Sequence, residues 1–277
     1  TYQNFFRLYD LLSGMTGTAK TEEDEFLNTY NMRVYEVPTN RPVARIDEPD
    51  LVFKDRHEKY EAIVAHTKEL YEKGQPVLIG TLSIGINEAL SEMLKKQNIP
   101  HHVLNAKNDE NEAEIIAKAN MAGRGTDIKL GDGVKELGGL AVLGSERHEA
   151  KRIDNQLRGR SGRQGDPGFS RFYCSMDDDL IVEYHTDESE SLIERFEHDK
   201  ENINKMRALI DRTQERAEGL HFDTRKNTLE YDDVLMAQRH LIYDQRDKVL
   251  DLEDMEPLVR ELIKENVSSA IEEYYQI

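Results

Sequence analysis

Residues 159–166 read GRSGRQGD. Arg160, Arg163 and Asp166 fall at three-residue spacing, and Gly159, Gly162 and Gly165 interleave with the same period. Glycine admits positive φ and lets a backbone approach a ligand closely. Arginine presents a planar fork of fixed charge that matches phosphate oxygens. Held over a γ-phosphoryl group in transfer, such a side chain offsets charge that builds in the transition state, an effect of about 10³–10⁵ in rate. Asp166 is wrong in sign for phosphate. Its chemistry is to orient an arginine or to accept a hydrogen bond from a ribose hydroxyl. The competing reading is a solvated basic turn. A second glycine-rich stretch, MAGRGTDIKLG at 121–131, weighs against it.

The rest of a nucleotide site is not in this sequence. No GxxxxGK[ST] phosphate loop occurs, and no acidic box that would hold Mg²⁺. The arginines therefore point to an ATP bound mainly by another domain, upstream. The chain opens on TYQNFFRLYD rather than Met, and a preceding N-terminal portion is the expectation. His101, His102 and His148 lack the spacing of metal ligands, so no metal site is expected. His148, in SERHE, reads as a structural hydrogen-bonding residue, and Cys174 as core packing in a strand. Arg216 and Glu218 are candidates for a salt-bridge gate to the motor.

The elements that position these residues follow from pattern. YQNFFRLYDLL has helical spacing, and VYEVPTNRPV reads as a short strand entering a Pro-rich turn. From about residue 51 to 175, strand and helix signals alternate. Helices are expected over 56–73, 84–97, 110–119 and 149–160. Strands are expected over 76–81, at PHHVLNA (100–106), over 138–145 and at SRFYCS (170–175). That alternation implies a parallel sheet covered by helices on both faces. The helix NEAEIIAKA runs straight into NMAGRGTD. Either a strand is lacking there, or about ten residues are absent. Past Leu180, Ile203, Met206, Leu209, Ile210, Ala217 and Leu220 share one helical face, and Leu229, Met236 and Leu241 continue the pattern. One helix of roughly forty or more residues, or two in line, is expected, with another amphipathic helix over 252–277.

Composition excludes several classes. The 277 residues carry 37 Lys and Arg against 55 Asp and Glu, a formal charge of -18, which opposes non-specific binding to nucleic acid. A single cysteine forbids an internal disulfide and suits a reducing compartment. No apolar run approaches the roughly 18–20 residues of a membrane span, and no signal peptide is visible.

The stretches GMTGTAKTEEDEF, VPTNRPV, KGQPVLIGTLSI, NMAGRGTDIKLG, GGLAVLGSERHEAKRIDNQLRGRSGRQGDPGFSRF and FDTRKNTLEYDDVL closely resemble SecA, the bacterial preprotein translocase ATPases. The resemblance runs from Thr1 to about Asp251 and is weaker beyond. It implies a RecA-like parallel sheet of superfamily 2 type, followed by a long all-α scaffold helix and the start of a helical wing. It implies a layout of 1–50 as opening segment and first part of the second nucleotide-binding domain, 51–180 as its RecA-like body, 181–250 as helical scaffold, and 251–277 as the start of the wing. The resemblance implies ATP with Mg²⁺ as ligand, with the metal's ligands mainly in the upstream domain. Arg160 and Arg163 match the family's catalytic, nucleotide-contacting arginines and Asp166 its nucleotide-contacting aspartate. Gly123, Gly125 and Asp127 match a second nucleotide-sensing motif, and MTGTA (15–19) an element that couples hydrolysis to domain movement. The family usually carries a strand ending in Ala-Thr before NMAGRGTD. Implied partners are the upstream nucleotide-binding domain, an unfolded preprotein, the SecYEG channel and a second copy of the chain, without nucleic acid. The implied location is the bacterial cytoplasm and the cytoplasmic face of the plasma membrane, as a peripheral protein. Both a housekeeping and an accessory paralogue fit. The rival reading is a superfamily 2 RNA or DNA helicase motor domain.

Overall fold

The computed structural model describes residues 1–103, 130–186, 190, 193, 196 and 200–275. Two compact units emerge, Ser13–Asp223 and a smaller one of Thr1–Leu12 with Thr224–Ile277.

Among the described residues, the larger unit holds a five-stranded, all-parallel sheet. Its strands are β1 (Ala44–Asp47), β2 (Leu51–Phe53), β3 (Val77–Gly80), β4 (Leu140–Gly144) and β5 (Pro167–Ser175). The order is β1-β5-β4-β3, and β2 extends the β1 side by pairing with the later part of β5. Gly168 of β5 sits between Arg45 and Leu140. Between strands run α3 (Arg56–Glu72), α4 (Ile84–Lys96) and α5 (Lys151–Arg158), after the short α1 (Tyr2–Arg7) and α2 (Glu23–Tyr30). Side-chain caps start two of them. Asp55 accepts from the backbone N–H groups of His57 and Glu58, and Ser83 from that of Ile86. Gly74, at φ 78°, ends the first.

Side chains alternate across β5, as the pleat requires. Phe172 and Cys174 face one side, with Val52, Met176, Ile181 and the long helix's Met206, Leu209 and Ile210. Tyr173 faces the other, with Ile63 and Val64 of α3, Leu90 and Leu94 of α4, and Leu143. After β5 come α6 (Asp179–Tyr184), α7 (Lys200–Asp251) and α8 (Glu256–Tyr275). The scaffold pattern is thus one unbroken helix of 52 residues, whose first turns close one core of the larger unit.

In the smaller unit, Asn4 and Arg7 of α1 bind the adjacent Asp232 and Asp233 of α7. Asn4 Nδ2 donates to Asp232 at 2.8 Å, and Arg7 Nη1 reaches Asp233 at 3.1 Å. No residue of α8 is buried.

Three expectations need correction, and one strand was not expected. Residues 31–43 form no strand, and pairing begins only at Ala44. Pro38 and Pro42 lack the N–H a ladder needs, so the strand starts past them. Helical structure in YQNFFRLYDLL stops at Arg7, because Leu8, Tyr9 and Leu11 are exposed and bury nothing that would sustain another turn. Residues 100–103 carry no strand, and the remainder of that segment, the helix expected over 110–119 and the junction before Asn120 lie outside the described residues. Finally, β2 has no counterpart in the expected elements. Three residues are too few to show a period.

Candidate functional site

The arginine loop is built on the amino ends of three strands. Helix α5 crosses from the carboxyl end of β4 back to the start of β5, and its last turn runs into Gly159. Ser161, buried, donates from Oγ to the carbonyl of Leu140 at 2.7 Å. Arg45 of β1 donates from Nη1 to the Ser161 carbonyl at 3.0 Å, and is itself held by Asp47. Gly162 and Gly165 adopt φ of 73° and 79°, which a side chain would strain. A Cβ at Gly162 would also meet Arg45, and one at Gly165 would meet Arg41. Gly168 packs so closely under Ser161 that no Cβ fits.

Arg160 and Arg163 are thereby carried on an anchored backbone, both half-buried. Arg163 Nε contacts the Gly159 carbonyl at 3.3 Å. Asp166 has Lys135 Nζ at 2.6 Å. Open α/β folds usually take ligands beyond the carboxyl ends of their strands. The structure sets this loop at the opposite, amino end. The reason is connectivity, since the loop closes a crossover and leads directly into β5. Gly123, Gly125 and Asp127 lie outside the described residues. Among those that are described, no group of three His, Cys, Asp or Glu side chains is arranged to hold a metal.

Behind the loop lies a buried charge network that sequence reasoning missed. Asp154 of α5 is fully buried. It accepts from Arg147 Nη1 at 3.0 Å, from the His148 backbone at 3.0 Å and ring Nδ1 at 2.7 Å, and from Gln214 Nε2 of α7 at 2.7 Å. Burial pushes the Asp154 carboxyl up, but the His148 bonds, the Arg147 charge and Gln214 outweigh it and hold the group below the usual range. Arg147 also donates to Asp50 at 2.7 Å. Its guanidinium lies 5.0 Å from the Phe172 ring centre, and that of Arg158 lies 4.9 Å from the same centre. Burial, and then the charge of Arg147, lower the pKa of Arg158. His148 is the structural hydrogen-bonding residue the sequence suggested. The missed signal was Gln214, a polar residue at an apolar-face position, four residues beyond Ile210 and eight beyond Met206.

A second cluster lies at the carboxyl ends of β4 and β5. Lys59 of α3 is fully buried and paired with Asp178, which also accepts from Ser175 Oγ at 2.7 Å. Glu146 is 2% exposed, and neither carboxyl oxygen has a hydrogen-bond partner. Burial, opposed by Lys59 and reinforced by Asp178, pushes its pKa up to about 7.

Family models match the chain over residues 1–27 and 42–277. The SecA P-loop domain matches residues 42–135 and 132–201, the SecA wing and scaffold domain 202–277, and the SecA DEAD-like domain 1–27. The protein translocase subunit SecA of Clostridium novyi (strain NT) is 52% identical over 285 residues, covering 98% of this chain and 34% of its own length. The chain therefore spans about a third of that relative. The alignment is also longer than the 277 residues of the chain, so the relative carries residues within the matched span that this chain lacks. Among solved structures, the crystal structure of E. coli DEAD-box protein SrmB bound to regulator of ribonuclease activity A (RraA) matches with a TM-score of 0.39 at 17% identity, over 50% of this chain and 82% of that one.

Proposed function

The chain belongs to the SecA family, and on that footing we propose that it is the second motor domain and scaffold of an ATPase that drives unfolded preproteins through the SecYEG channel. Residues 1–50 open the domain, 51–180 form its body, 181–250 the scaffold and 251–277 the start of the wing. Arg160 and Arg163 act as arginine fingers on ATP held mainly by an upstream nucleotide-binding domain. Asp166, with Gly123, Gly125 and Asp127, contacts or senses the nucleotide. The donor set of the loop is cationic, so it fits phosphate oxygens and not Mg²⁺, whose ligands would come from ATP and the upstream domain. Work is done at the cytoplasmic face of the bacterial plasma membrane, as a peripheral protein. No helix among the described residues is long and apolar enough to cross a membrane.

The observation that carries this reading is the anchored loop. Its backbone is fixed by Ser161 and Arg45, and it sits at the amino ends of β1, β4 and β5. Cations fixed in advance need no reorganisation when charge develops, which is what a finger acting across a cleft requires. The scaffold's role in transmitting cleft closure is supported by Gln214, which joins α7 to the helix carrying the loop.

The decisive test is Arg163→Lys in the full-length protein. It keeps charge and loses the planar fork. ATP binding stays near wild type while kcat falls by about 10² or more. Wild-type turnover rejects the finger assignment. The 277-residue chain by itself turns over negligible ATP, and robust Mg²⁺-dependent hydrolysis by it rejects the two-domain reading. Turnover stimulated by RNA or DNA, and not by an unfolded preprotein, favours the helicase alternative.

A further inference from the structure

The long helix grips α5 at two successive places, through Gln214 and Glu218, and the segment just before α5 at a third. Gln214 Nε2 donates both to Asp154 and to the His148 carbonyl, each at 2.7 Å. One turn on, Glu218 Oε1 accepts from the backbone N–H of Lys151 at 2.6 Å. One turn further, His221 Nε2 lies 3.6 Å from Glu149 and 3.2 Å from the Tyr184 hydroxyl. The middle contact is unusual in kind. Lys151 is the first residue of α5, and its own N-cap, Ala150, offers no side-chain acceptor. The first N–H groups of a helix need partners from outside the helix. Here a carboxylate of another helix supplies one, where the positive end of the α5 dipole also favours negative charge. The sequence reading set Glu218 in a salt bridge. The structure gives it a backbone partner instead.

We propose that Glu218 is a positioning residue for the arginine loop, acting as an N-cap in trans. Helix α5 runs rigidly for eight residues from Lys151 to Arg158, and the loop begins at Gly159. Fixing the first residue of α5 to α7 sets the direction in which the far end carries Arg160 and Arg163. A tilt of the scaffold helix then becomes a displacement of the fingers. Misplacing a positioned group by about 1 Å can cost up to about 10² in rate. Any acceptor at position 150 could cap the helix. An acceptor on α7 also ties the first residue of α5 to the scaffold, one turn from the Gln214 bond to Asp154.

That distinction gives the test, which rests on the ATPase reading above and uses the full-length protein. Thermal midpoint, kcat and KM for Mg²⁺-ATP are measured for Glu218→Ala, Ala150→Ser, their combination, and Glu218→Gln. In Glu218→Ala, kcat falls about tenfold, within the usual range of coupling between sites, while KM stays within about twofold. Adding Ala150→Ser returns the thermal midpoint, since serine caps locally, but leaves kcat low. Glu218→Gln, which keeps an acceptor oxygen on α7, recovers most of kcat. Recovery of kcat by Ala150→Ser overturns the proposal and makes Glu218 a cap only. So does wild-type kcat in Glu218→Ala. Arg163→Lys, run in parallel, separates the two claims. If it too turns over at the wild-type rate, the finger reading fails, whereas a slow Arg163→Lys beside a normal Glu218→Ala sinks only the positioning role.

Discussion

Lys59 is paired with Asp178 and makes no hydrogen bond to Glu146, although both carboxylates are buried around it. One ammonium is thus shared electrostatically and committed structurally. Asp178 gains Lys59, the Ser175 hydroxyl and the Ser175 backbone N–H. Glu146 gains none of these, and a buried carboxylate without donors is more stable protonated.

The pH dependence follows with a definite sign. Glu146 titrates near 7 when folded, against a reference of 4.5. Between those values the folded state keeps a proton that the unfolded state has lost. Stability from this group is complete below pH 4.5 and is lost as pH rises through 7. Glu146→Gln removes the penalty. Urea unfolding shows it more stable than wild type at pH 8, by on the order of 3 kcal/mol, with the difference shrinking towards pH 5. Asp178 is also raised, burial again being the largest cause, so the comparison between the two proteins and not the wild-type slope alone carries the test. A constant difference from pH 5 to 8 rejects it.

Asp154 gives the opposite sign. Its carboxyl is held below 3.8, so its contribution is present above that value and lost as pH falls through the folded pKa. Asp154→Ala strands Arg147 with one fewer anion in a buried site. Loss of one partner of such a pair costs about 3–5 kcal/mol. The expected result is a strongly lowered urea midpoint at pH 7 and a smaller gap to wild type in acid. A loss under about 1 kcal/mol at pH 7, the size typical of an exposed pair, rejects the network as a structural element.

What the sequence revealed and what it hid divide along one physical line. The strands at 77–80 and 140–144 and the helices over 56–72 and 84–96 were legible, because local signals specify them. Apolar runs fill the strands, Asp55 and Ser83 cap the helices, and Gly74 ends one. The Gly-Arg octet was legible as a glycine-rich loop after a helix for the same reason, since its spacing is local. Lys59, Arg147 and Asp154 were not legible. Charged residues are read as surface unless a partner is known, and these partners lie far away in sequence: Asp178 for Lys59, Asp50 for Arg147 and Gln214 for Asp154. The placement of the loop at the amino ends was likewise a matter of topology, which needs the register of Gly168 between Arg45 and Leu140. The helix spacing of Tyr9 and Leu11 misled because periodicity promises a buried face, and nothing covers one here.

The last prediction concerns Asp166 and Lys135. Their side chains meet at 2.6 Å, but Lys135 is 55% exposed, and a pair so open to water contributes about 0–1 kcal/mol. Such a partner is readily exchanged. If Asp166 accepts from a ribose hydroxyl when ATP arrives, the Lys135 ammonium already draws on the same carboxylate and in that sense competes with the nucleotide. Lys135→Met in the full-length protein removes the competitor and lowers KM for ATP by about two- to threefold, a fraction of the pair's roughly 1 kcal/mol. Asp166→Asn loses the charged acceptor, worth about 1.5–3 kcal/mol as a bond to a charged group, and raises KM by about tenfold or more. Removing both leaves KM where Asp166→Asn alone puts it, since without the carboxylate Lys135 has nothing to compete for. That non-additivity is the signature of a shared partner. A loop-stabilising ion pair gives the other pattern: each single substitution lowers the thermal midpoint alike, and KM moves in neither.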